Sequence, residues 1–71
     1  MDIPIDDQLA ELDRELAMRR RLYPQWVSRG TLSQAAADRQ IRRLEAARDT
    51  VRKARQDAQM SLLNGKRMDE T

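Results

Sequence analysis

Apolar residues return every three or four positions along the first third of this chain. Ile5, Leu9, Leu12, Leu16, Tyr23 and Trp26 keep a heptad spacing, with Arg19 in one of the inward slots. That period predicts an amphipathic helix over about residues 6–28. Pro4 leads into it, and Asp6 and Asp7 place carboxylates where they complement the helix dipole. Pro24 interrupts the pattern, because proline lacks the backbone donor and disfavours helical geometry at the preceding residue. Tyr23 and Trp26 nevertheless stay in phase with the leucines. A helix that kinks near Pro24 and continues is therefore favoured over one that breaks near Leu22.

A second period follows a short turn at residues 29–32. Gly30 is a natural helix stop, and Ser33 before Gln34-Ala35-Ala36-Ala37 is a good N-cap, with Leu32 placed to staple onto Ala37. Ala37, Ile41, Leu44, Ala47, Val51, Ala54, Ala58 and Leu62 then mark one face of a helix over about 33–63. Alternation of branched residues with alanine predicts close antiparallel packing of the two helices. Asn64-Gly65 signals a C-cap, leaving 64–71 as a flexible tail. The expected fold is all-α: one domain over 1–63, a two-helix antiparallel hairpin. Such a hairpin leaves Met18, Met60, Leu62, Leu63 and part of Trp26 uncovered, so a homodimeric four-helix bundle is the expected assembly.

Composition removes most chemistry. The 71 residues hold no cysteine and no histidine, so disulfides, thiolate or imidazole metal sites and the commonest general base are all missing. No serine has a base to activate it, and neither a calcium loop nor a glycine-rich phosphate loop is present. The expectation is a non-enzyme with no cofactor and no metal site. No apolar stretch is long enough to span a membrane, and no signal peptide is evident; the bacterial cytoplasm is the expected location.

Charge is uneven. Residues 1–18 carry −5, residues 19–55 carry +8, and the remainder −1, for a net +2. An acidic front and a basic middle attract each other, within a hairpin or between subunits, or present a basic surface to an acidic partner. Two candidate surfaces follow. Arg19, Arg20, Arg21, Tyr23, Trp26 and Arg29 join the densest arginine run to the only aromatics, the residue types that dominate binding interfaces. Against this, consecutive arginines point in different directions, Arg19 has Glu15 four residues back, and the aromatics are in phase to plug the open end of the hairpin. On the second helix, Arg48, Arg52 and Arg55 share a stripe and form the phosphate-binding candidate. Many cations there have local mates, with Asp38 four before Arg42 and Asp49 four before Lys53, as on a solvated face.

The run Glu15-Leu16-Ala17-Met18-Arg19-Arg20-Arg21-Leu22-Tyr23-Pro24-Gln25-Trp26-Val27-Ser28-Arg29-Gly30, followed by Leu32-Ser33, Ala37 and Ile41, resembles a family of small proteins of tailed phages and prophages of proteobacteria. Those share Glu-Leu, Met-Arg, Tyr-Pro-x-Trp-Val, a glycine and an alanine-rich second helix. The resemblance covers roughly residues 11–55. It departs at Leu44-Glu45-Ala46-Ala47, where a methionine- and isoleucine-rich run is the pattern. The resemblance implies an accessory protein that binds and inhibits or modulates a host bacterial protein, such as a transcription regulator, a motility motor or a defence component. The alternatives are a nucleic-acid-binding regulator using the second helix, a sponge for nucleotide signals, and a structural phage part.

Overall fold

In the computed structural model residues 2–63 are described with their side chains, and the chain folds as two helices joined by a short turn: α1 (Ile5–Ser28) and α2 (Gln34–Glu70). The antiparallel hairpin is thus the observed fold. The C-cap expected at Asn64-Gly65 and the tail over 64–71 lie outside the described residues.

α1 starts on Pro4, whose carbonyl accepts from the N–H groups of Asp7 and Gln8 at 3.0 and 3.1 Å. Gln8 adds a side-chain bond to the Ile3 carbonyl, and Asp6 and Asp7 fill the first turn. The helix runs on through Pro24 to Ser28. Proline at that position denies the Arg20 carbonyl its usual backbone donor. Inward-facing Tyr23 and Val27 on either side of Pro24 keep the chain in helical phase.

The turn is a Schellman motif. Thr31 N–H reaches the Trp26 carbonyl at 2.9 Å, and Gly30 N–H reaches that of Val27 at 3.0 Å. Gly30 has φ +77°, a left-handed conformation that side chains with a Cβ disfavour. α2 then opens as expected, with Ser33 Oγ accepting from Ala36 N–H at 3.1 Å.

The core between the helices is thin. Leu16, Tyr23 and Ala37 are its buried residues among those described, with Ile5, Leu9, Leu12, Val27, Ile41, Leu44 and Val51 half-covered. The α2 seam differs from the expected one. Ala47, Ala54 and Ala58 are exposed, and the inward positions after Leu44 are Arg48, Val51 and Arg55. An alanine offers one methyl to bury, whereas arginine lays a three-carbon stem along the seam and carries its charge to the rim. Acids on α1 receive those charges, which fixes the phase. Trp26 likewise yields the last inward slot of α1 to Val27 and stays 37% exposed.

Candidate partner-binding surface

Three ion pairs tie the helices together along one side of the seam. Arg55 meets Asp6 as a charge contact whose Nε lacks hydrogen-bond alignment. Arg48 lies 3.7 Å from Asp13, and Arg20 bonds Glu45 at 2.6 Å. The acidic front and basic middle therefore attract each other inside the hairpin, the first of the expected outcomes.

This pairing redistributes the candidate residues. Arg19 bonds Glu15 at 2.9 Å on its own helix, and Arg20 is held by Glu45. Tyr23 is buried and donates its hydroxyl to Gln40 Oε1 at 2.8 Å, so it is a structural post. The aromatics sit at the closed end of the hairpin beside the turn, because Tyr23 packs opposite the start of α2. They do not plug the open end. Arg21, Trp26 and Arg29 remain outward-facing, and neither arginine has an ion partner among the described residues. The Trp26 ring lies 5.4 Å from that of Tyr23, centroid to centroid, tilted by 33°.

The expected phosphate stripe is engaged elsewhere. Arg48 also contacts Asp49 at 3.1 Å and keeps only 18% of its side chain exposed; Arg52 lies 4.0 Å from Asp49, and Arg55 faces Asp6. Asp49 thus serves Arg48 and Arg52, and Asp38 accepts from Gln34 Nε2 at 2.9 Å. Arg39, Arg42, Arg43 and Lys53 are consequently left without ion partners among the described residues. Sequence spacing hid this set, because Asp38 and Asp49 stood at the right distance to neutralise two of its members. On α1, Glu11 hydrogen-bonds Arg14 and raises its guanidinium further above the ordinary arginine value, so Arg14 is a fixed charge.

A shallow groove of about 220 Å³ runs beside the turn, lined by Arg20, Tyr23, Pro24, Val27, Ala37 and Ile41 among others. That is below the usual range for small-molecule pockets, about 300–1,000 Å³. No three carboxylates cluster to hold a metal among the described residues, and no described helix is long and apolar enough to cross a membrane. Comparison with protein-family models, curated proteins and solved structures gave no match.

Proposed function

We propose that this chain is a non-catalytic helical binding module of phage or prophage origin, docking on a host bacterial protein in the cytoplasm and inhibiting or modulating it. The observation that carries the reading is the closed end of the hairpin. Trp26 is held against Tyr23, which is itself fixed by Gln40; Arg29 follows one helical turn on, Arg21 lies on the outer face of α1, and neither arginine has an ion partner among the described residues. A half-open tryptophan on a rigid support loses little freedom when covered, and tryptophan with arginine is the composition of binding hot spots. The Tyr-Pro-x-Trp-Val resemblance supplies the phage context. Absence of histidine and cysteine from the sequence supports a binding role over a catalytic one.

The test is capture from a bacterial lysate on immobilised protein, with bound species identified by mass spectrometry. Trp26→Ala and the Arg21→Ala/Arg29→Ala double variant are expected to lose a host protein that wild type and Arg52→Ala both retain. Equal capture by all four refutes the reading.

A second reading is favoured by one observation, the unpaired set Arg39, Arg42, Arg43 and Lys53 on α2. Such a face suits the phosphate backbone of a nucleic acid, through charge alone. A labelled duplex whose anisotropy does not change with added protein at physiological salt rejects it.

A further inference from the structure

We infer that the outward face of α2 between Arg39 and Lys53 seats in the major groove of a B-form DNA duplex and grips phosphates on both of its walls. This deepens the second reading above and rests on it, adding which nucleic acid is taken and how.

The phase of α2 puts that face directly behind the hairpin. At about 100° per residue, the seam positions from Ala37 to Arg55 point to α1, whereas Arg39, Arg42, Arg43, Ala46, Thr50 and Lys53 point the opposite way, within roughly 50° of one line. All six are exposed, and none of the four cations has an ion partner among the described residues. The nearest acids are answered or turned aside. Glu45 bonds Arg20, Asp49 serves Arg48 and Arg52, and Asp38 faces the groove beside the turn. Asp57, one turn past Lys53, closes the face.

Size and charge are sorted within it. Arg42 and Lys53 fall on one flank and Arg43 on the other, with Arg39 on the midline. Ala46 and Thr50 lie between the flanks, and the Thr50 hydroxyl donates to the Ala46 carbonyl at 3.0 Å, flat against its own helix. Small residues on the midline let the backbone approach a groove floor while the flanking side chains reach its walls. An α-helix is about 10–12 Å across with its side chains, and the major groove of B-form DNA is ~12 Å wide. α1 packs on the far side of α2, clear of that groove.

Other polyanions suit the face less well. Single strands are held by stacking on aromatic side chains, and the one tyrosine and one tryptophan of this chain are both on α1. A membrane surface takes apolar side chains alongside the cations, and between Arg39 and Lys53 the face carries no apolar residue larger than alanine. The major groove of an A-form RNA duplex is deep and narrow, closed to a helix.

Anisotropy titrations at physiological salt compare one sequence as DNA duplex, RNA duplex and DNA single strand. The DNA duplex is expected to bind severalfold more tightly than either of the others. Arg43→Ala and Lys53→Ala, on opposite flanks, are each expected to lower the log–log salt slope by about 0.9. Dimethyl sulfate methylates guanine N7, which lies in the major groove, and bound protein is expected to protect that atom. Binding of RNA duplex as tight as DNA duplex overturns the groove seating and leaves the backbone reading standing. Fully reactive guanine N7 in bound DNA does the same, as does a slope unchanged in either variant. Displacement of the DNA by poly-glutamate at equal charge concentration overturns it in favour of an acidic protein partner. No anisotropy change with any of the three nucleic acids removes this inference and the second reading together.

Discussion

Arg48 of α2 reaches across the hairpin to Asp13 of α1 at 3.7 Å while keeping 18% of its side chain exposed. Its stem fills a seam position that the alanine period assigns to Ala47, and its charge is met at the rim. The packing therefore makes Arg48 as much a core residue as a cation.

Replacing Arg48 separates those two roles. Arg48→Met retains the stem and loses a half-exposed ion pair of the kind worth about 0.2–1 kcal/mol. Arg48→Ala loses the stem as well and is expected to be at least ~1 kcal/mol less stable than the methionine variant, at about 0.8 kcal/mol per buried methylene. Urea midpoints in low and high salt check this. The methionine variant should resemble wild type as salt rises, and a methionine variant no more stable than alanine contradicts the assigned packing.

Tyr23 anchors the closed end through its ring and its hydroxyl. Tyr23→Phe removes only the bond to Gln40 and is expected to cost about 0.5–1.5 kcal/mol. Tyr23→Ala is expected to cost about 3–5 kcal/mol, which unfolds a core this thin. Trp26 emission reports both, since its ring rests against Tyr23: the phenylalanine variant should keep the folded spectrum and the alanine variant shift to red.

Gly30 supplies the left-handed turn. Nothing lies within 4 Å of a Cβ built there, so strain in Gly30→Ala is confined to the backbone. The expected loss is about 1–2 kcal/mol, read from the thermal midpoint. A D-alanine at the same position, introduced by chemical synthesis, should restore wild-type stability.

Should the chain retain polyanions, the responsible cations are Arg39, Arg42 and Arg43. Their triple alanine variant is expected to abolish binding to a labelled duplex, and each lost phosphate contact should lower the log–log salt slope by about 0.9. The Arg48→Ala/Arg52→Ala pair should leave that slope near wild type. The reverse ranking places phosphate on the original stripe.

Residues that act through local rules were readable one by one. The Ser33 cap and the Gly30 stop depend on bonds spanning three to five residues, so their spacing carried the information. The same holds for Arg19 with Glu15. Arg20, Arg48 and Arg55 were not readable, because their partners lie 25 or more positions away and only helix–helix register decides which acid each meets. Of the candidate surface, the local pair with Glu15 engages Arg19, register engages Arg20 with Glu45 and Tyr23 with Gln40, and Arg21, Trp26 and Arg29 stay outward-facing.

Heptad spacing and turn chemistry alone determined two helices, the cap between them and an antiparallel course. Tertiary structure decided the rotation of α2 about its axis. Alanine at 47, 54 and 58 and arginine at 48 and 55 offer two phases one residue apart, and periodicity does not rank them. The choice falls to burial of the arginine stems together with charge contact to Asp6 and Asp13, energies that exist only once α1 lies alongside. That rotation leaves the alanine row open and Arg39, Arg42 and Arg43 without ion partners.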